Sequence, residues 1–384
     1  MSTAGRQAFV LDAARTPYGQ RGGALAAWHP VDLAAELLER LLLRSGAAAS
    51  SVSGVYLGCA SQVGAQAGNI ARRAALAAGW PEGVPGVTIE SHVASSAQAV
   101  HLAAAAVVSG VQELVVAGGV EVMSTVPLGA SLAQPAVGKP MGKRLAARYG
   151  GSEGLPPPGL AAENVARRWS LTRSDLDSWA LDSYRKALSS QARSPSYLAA
   201  LGGVERDEGL KDPPSRSLVR ALVPAYVPGG SATAANMAKE GDGASAVLLG
   251  AAPAARRLGL APKARFVSLA TAGSEPALWP VATVPATRLA LEKAGLRADA
   301  IDWWYVHESS SAAVLAWARE MNVPEERVNP EGGALASTSP AGAAGGGLFA
   351  MAAHCLAGGS GSRALVSVAA EGGVATACVL ERVP

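Results

Sequence analysis

The chain has 384 residues, 49% hydrophobic and 16% charged, with a formal net charge of +3. That length predicts two or three domains with sizeable cores, and the apolar fraction excludes a disordered chain. A charge this small, with no arginine-rich stripe among aromatics, excludes nucleic acid as the expected partner.

The opening residues lead straight from Met1 into a strand-like run, Gln7 to Leu11, with no signal peptide ahead of it. Pro30 to Arg44 reads as a helix, with Pro30 and Asp32 suited to its first turn and Leu33, Leu37 and Leu41 on one stripe. A strand at Val52 to Leu57, a helix at Asn69 to Ala78, a strand at Gly86 to Ile89, a helix at Ser95 to Ser109 and a strand at Glu113 to Ala117 follow. This alternation predicts a mostly parallel sheet covered on both faces.

The middle differs. It carries three prolines at 156–158, the basic residues Lys139, Lys143, Arg144 and Arg148, and a helix from Leu171 that Thr172 and Asp175 can cap as a box. Ala244 to Leu249 returns as a strand. The last third repeats the earlier rhythm. Strands are expected at Arg265 to Ala270, Ile301 to Val306, Ala364 to Val368 and Val374 to Glu381, and helices at Pro285 to Ala294, Ala312 to Met321 and Ala341 to Leu356. No apolar run reaches the roughly 18 residues of a membrane helix, so a soluble cytoplasmic protein is expected. Cys59, Cys355 and Cys378 are too far apart for a disulfide framework or a metal cluster. Buried thiols without chemistry, and no metal, are the expectation.

Several motifs in one order resemble the thiolase family nearly end to end. They are Leu11 to Pro17, Leu57 to Cys59, Asn69 to Arg73, the segment Val87 to Val100, Val115 to Ser124, Ala162 to Ala166, Ala232 to Asp242 and Val328 to Ala334. The resemblance implies an α/β thiolase fold: two similar βαβαβαββ halves in a five-layered αβαβα arrangement, plus an inserted loop domain. It places the first half at 1–123, the loop domain at 124–240, a return segment at 241–262 and the second half at 263–384.

The same resemblance implies four catalytic positions, and each carries an unusual residue. Val93 stands where the family has a nucleophilic cysteine at the start of a helix, a setting that activates a thiol. Ser339 stands at the histidine of the Gly-His-Pro motif, His307 at the asparagine of Asn-Glu-Ala-Phe, and Ala369 at the second cysteine, with Glu371 replacing a glycine of the same loop. Substitutes of the right chemistry flank these positions: His92, Ser95, His307, Glu308, Ser339 and Glu371. A serine, an imidazole and a carboxylate in one cleft are the ingredients of a relay, although Ser95 and Ser96 are explained equally by capping.

The resemblance therefore implies a protein that binds an acyl thioester, carried by coenzyme A or by a carrier protein, but lacks the residues for thiolytic or Claisen chemistry. It would be a non-thiolase partner or a divergent acyltransferase. A second reading is an enzyme that uses the remodelled cleft for transfer to oxygen or nitrogen, or for an aldol-type step. A third is an inactive remnant whose pocket is filled by Val93 and Trp279. No tightly bound cofactor is expected beyond a coenzyme A thioester as ligand, with Lys143 and Arg144 suited to its phosphates. A homodimer or dimer of dimers is expected, or a heteromer with an active paralogue.

Overall fold

A computed structural model describes residues 6–133, 138, 140–150, 154–193, 195–211 and 213–383. Lys139 lies outside the described residues. The first half runs through β1 (Phe9–Arg15), β2 (Gly19–Gln20), α1 (Pro30–Ser45), β3 (Gly54–Gly58), α2 (Ile70–Ala77), β4 (Gly86–Ile89), α3 (Ser95–Ser109) and β5 (Leu114–Val122). The middle carries α4 (Lys143–Tyr149), α5 (Pro158–Arg168), α6 (Arg173–Gln191) and α7 (Arg216–Ala221). Then come β6 (Gly241–Gly250), α8 (Ala252–Leu258), β7 (Ala264–Gly273), α9 (Thr283–Ala294), β8 (Trp303–Val306), α10 (Ser311–Met321), α11 (Ala334–Ser337), α12 (Ala344–Ala357), β9 (Arg363–Ala370) and β10 (Val374–Arg382).

The main strand order is β4-β3-β5-β6-β1-β7-β10-β9-β8, with β2 paired to β6. Taken outward from the centre, the second half runs β7, β10, β9 and β8, its first, last, third and second strands, and the first half repeats this as β1, β6, β5 and β3 with β4 added at the edge. The halves thus share a topology without sharing obvious sequence. They join where Phe9 and Val10 pair with Arg265 and Ala264. The sheet is mixed rather than mostly parallel. Among the strands of the described residues, β3 with β4, β3 with β5 and β8 with β9 run parallel and the other pairs antiparallel. The strands that close each half arrive differently: β10 follows β9 through a tight turn, which makes the pair antiparallel, and β6 returns from the middle segment antiparallel to β1 and β5.

Five layers result. Helices α1 and α2 cover the outer face of the first half, packing Leu33, Leu37, Leu41 and Ile70 on Leu57, Val116 and Leu248. On the outer face of the second half, α9 and α10 bury Ala286, Val314 and Trp317. Helices α3 and α12 lie between, and their Ala97, Val100, Phe349 and Ala353 share one core with strands of both halves. A helix apolar all round belongs in such a layer. Small residues let these two approach closely: a Cβ on Gly345 would sit 2.8 Å from that of Ala97.

The box expected at Thr172 forms, with Thr172 and Asp175 bonding reciprocally at the start of α6. The helix expected at Ala341 to Leu356 begins only at Ala344, because Thr338 at φ 79° and Pro340 turn the chain first. The middle segment is tied to β1 by a buried ion pair, in which Arg15 donates twice to Asp207 at 2.6 and 2.8 Å. Its helices α5 and α6 pack against α10.

Candidate active site

Segments from both halves and from the middle of the chain converge on a cavity of about 250 Å³, whose lining includes Val93, Met123, Tyr226, Met237, Trp279, His307, Ser339 and Glu371. Val93 comes from the turn between β4 and α3. That turn is held by a local network: Ser91 N–H donates to Ser95 Oγ at 2.9 Å, and Ser95 Oγ donates to the His92 carbonyl at 2.5 Å. His92 takes φ 45°, a left-handed conformation costly for a side chain with a Cβ. The network leaves Val93 half-buried against the cavity.

His307 follows β8 directly, and its N–H donates to the Ser367 carbonyl of β9. Its Nε2 lies 3.0 Å from Ser339 Oγ. Burial pulls its pKa down to about 4, so the ring is neutral at ordinary pH. Ser339 sits in the turn ahead of α12, where its N–H donates to the Lys239 carbonyl at 2.8 Å. Thr338, in the left-handed region, is held by a hydrogen bond from its hydroxyl to the Gly19 carbonyl. Glu371 sits in the β9–β10 turn, which Gly372 and Gly373 close at φ 82° and 83°. Burial raises its carboxyl above the usual carboxylate value, and His92, with Nδ1 4.0 Å away, opposes that shift.

Two buried carboxylates fix these loops. Glu121, on β5, accepts from the N–H groups of Ala60, Ser61 and Gly342 and from Gln66 Nε2. Glu308 accepts from Trp179 Nε1, Ser183 Oγ, Asn329 Nδ2 and the Leu335 N–H. Fully occupied in this way, Glu308 anchors α6 and the loop after Asn329 rather than reaching the 250 Å³ cavity. A second cavity of about 20 Å³, room for one water, lies behind His307 beside Glu308, Glu331, Arg15 and Asp207.

Of the residues expected from the sequence, Val93, His307, Ser339 and Glu371 meet in one cavity. His92 stands behind Glu371. Ser95 and Ser96 are buried and engaged, Ser95 within its own turn and Ser96 Oγ accepting from the Gly346 N–H of α12. Ala369 is buried within β9 and is not part of the lining. Lys143 and Arg144 are exposed on α4, away from the cavity. None of the three cysteines lines the cavity. Cys59 and Cys378 are buried as expected, but Cys355 is only half-buried, because its face of α12 turns toward Ser360 near the helix end. Burial pushes all three thiols up, Cys355 to about 11, so none is a ready thiolate. Met123, Tyr226 and Met237 were not expected in the lining. They lie on three separate segments, and nothing in their local pattern separates them from core residues. The indole N–H of Trp279 is buried without a partner among the described residues. The cavity is open beside Val93 and Trp279, not filled by them.

One continuous mixed sheet wrapped around two central helices, with a cleft lined by loops of both halves, defines a doubled α/β architecture. Family models described as the thiolase N-terminal domain and the thiolase C-terminal domain match residues 8–252 and 260–382. The chain belongs to the thiolase family. It is 37% identical to a steroid 3-ketoacyl-CoA thiolase of Mycobacterium tuberculosis, over 98% of this chain and 94% of that one. It is 36% identical to a 3-oxoadipyl-CoA/3-oxo-5,6-dehydrosuberyl-CoA thiolase of Escherichia coli and to a beta-ketoadipyl-CoA thiolase of Pseudomonas aeruginosa, in each case over 98% of this chain and the whole of the relative.

These relatives overturn the expectation of a protein without thiolytic chemistry, whether partner, divergent acyltransferase, pseudoenzyme or remnant. Full-length similarity to proteins named as thiolases points to ordinary thiolase function. The expectation rested on the four side chains Val93, Ser339, His307 and Ala369, and the cavity is open and carries the His307 imidazole, the Ser339 hydroxyl and the Glu371 carboxylate. Among the described residues no helix is long and apolar enough to cross a membrane.

Proposed function

We propose that this chain is a thiolase acting on a 3-ketoacyl-CoA: it cleaves the bond between C2 and C3 with coenzyme A and releases acetyl-CoA and a shortened acyl-CoA. The observation that carries this reading is the cavity where Val93, His307, Ser339 and Glu371 meet, within a chain similar to thiolases over its whole length. No cysteine lines the cavity, so the attacking sulfur is that of coenzyme A itself, which adds to the C3 carbonyl. Ser339 donates to the oxygen that becomes negative while its Oγ accepts from His307 Nε2. Such a donor aimed at a developing charge contributes most in a dry site. The alkoxide then collapses, the C2–C3 bond breaks and its electron pair passes to C2 as the enolate of acetyl-CoA. The mainly apolar remainder of the lining suits an acyl chain.

The same reading takes the protein as a cytoplasmic homodimer, with the outer strand β4 and its exposed Val87 as the pairing edge. The test is incubation with coenzyme A and 3-ketoacyl-CoA esters of increasing chain length, with mass detection of both products. Coenzyme A-dependent release of acetyl-CoA together with the shortened ester is expected. Absence of cleavage across the series would overturn the reading.

A further inference from the structure

The thiolase reading leaves one chemical need without a group. The proton of the coenzyme A thiol must leave before attack, and a proton must reach C2 of the departing enolate. His307 does not suit this need. Its Nε2 is engaged with Ser339, and its burial disfavours the charged form that a proton carrier passes through.

Glu371 differs from three other carboxylates near the site, and Glu331, whose Oε2 also has no partner among the described residues, lines the separate small cavity behind His307. Glu121 and Glu308 each receive four hydrogen bonds, and Glu240, which also lines the cavity, is paired with Arg21 at 2.9 Å. Among the described residues the Glu371 side chain receives no hydrogen bond, and the His92 ring nitrogen Nδ1 lies 4.0 Å from its Oε2. Its side chain is 26% exposed, on the cavity side, facing the segment that carries Val93. The turn that aims it is restrictive. Gly372 and Gly373 both need positive φ, and a Cβ on Gly373 would fall 2.5 Å from the Ser274 carbonyl oxygen.

We propose that Glu371 is the proton-transfer residue of this cleft, accepting the proton of the coenzyme A thiol and returning it to C2 of the acetyl-CoA enolate. The inference rests on the thiolase reading. In the first step the S–H bond breaks, the carboxylate takes the proton and the sulfur keeps the pair for its attack on C3. In the last step the enolate pair forms a C–H bond at C2 with that same proton, and the carboxylate is restored. The overall change is one 3-ketoacyl-CoA plus one coenzyme A to two thioesters, with no oxidant, reductant or further proton donor. The raised carboxyl of Glu371 brings it closer in acidity to the thiol than an exposed glutamate would be. Glu90 adds to that upward shift and His92 tempers it, while Tyr226, Lys239, Glu240 and His307 are the other charged or titratable groups on the lining.

Two readouts test this. The first is the rate of cleavage of acetoacetyl-CoA and 3-ketodecanoyl-CoA against pH. The second is exchange of the methyl protons of acetyl-CoA for deuterium in heavy water, which needs proton transfer at C2 but no bond cleavage. In Glu371→Gln both are expected to fall by about 10²–10³, with KM changed less than about threefold and the acidic limb of the pH profile lost. Glu371→Asp, the safer variant for folding, should keep part of the exchange with a displaced limb. If the native protein cleaves and Glu371→Gln or Glu371→Asp exchanges and cleaves at the native rate with the native pH profile, this role is overturned while the thiolase reading stands. If the native protein neither cleaves nor exchanges, the thiolase reading falls and this role with it.

Discussion

The two halves of the molecule repeat one strand order, yet they contribute opposite surfaces to the cleft. The first half offers Val93 and Met123, an apolar wall at the ends of β4 and β5. The second offers His307, Ser339 and Glu371, from the ends of β8 and β9 and the turn before α12. Each wall is pinned by its own buried carboxylate, Glu121 for the first and Glu308 for the second. The contrast teaches that a duplicated topology specifies where loops meet, not what they do there. The proposed function assigns the acyl chain to one wall and charge and protons to the other.

That division can be broken from the polar side first. His307→Ala removes the support of Ser339, and kcat is expected to drop by about 10²–10³, the usual loss for an oxyanion group, with KM nearly unchanged. A rise in KM alone would move His307 to the binding wall. The pins come next. Glu308→Ala orphans four buried donors, and loss of about 3 kcal/mol in urea unfolding is expected. A change under about 0.5 kcal/mol would show that the polar wall is held elsewhere.

Acid should weaken the polar wall of its own accord. His307 has a native pKa of about 4 against an ordinary 6.5, so between those values the unfolded chain binds a proton that the native one refuses. Its stabilising effect is therefore full above about pH 6.5 and is lost as pH falls toward 4, by up to about 3 kcal/mol. Unfolding curves from pH 4 to 8 should show this loss in the native protein and a shallower one in His307→Gln. The smallest effect is expected on the apolar wall. Val93→Ala should alter KM a few-fold, about 1 kcal/mol or less, and leave kcat alone. A large fall in kcat would make Val93 more than a wall.

Much of the frame was legible in the sequence because it depends on local pattern. The leucine stripe of α1 and the box at Thr172 formed where periodicity and capping put them, and α3 spans Ser95–Ser109 as expected, although its N-cap is Ala94 and neither Ser95 nor Ser96 caps it. Strand direction was not legible: whether β6 or β10 runs parallel to its neighbour depends on how the chain returns, and apolar runs look alike either way. The site was half legible. Resemblance brought Val93, His307, Ser339 and Glu371 into view, and the same residues misled when their identities alone were taken to cancel the reaction.

By itself the sequence determined the α/β class, the longer helices of both halves and the titratable groups available, since these follow from propensity, hydrophobic period and side-chain chemistry. Only the tertiary structure decided which groups work together. It spent Glu308 on four buried donors and left Glu371 bare at the cavity, although nothing in their immediate neighbours distinguishes two such glutamates. The reason is that a carboxylate's role depends on the donors packed around it, and those come from segments far away along the chain.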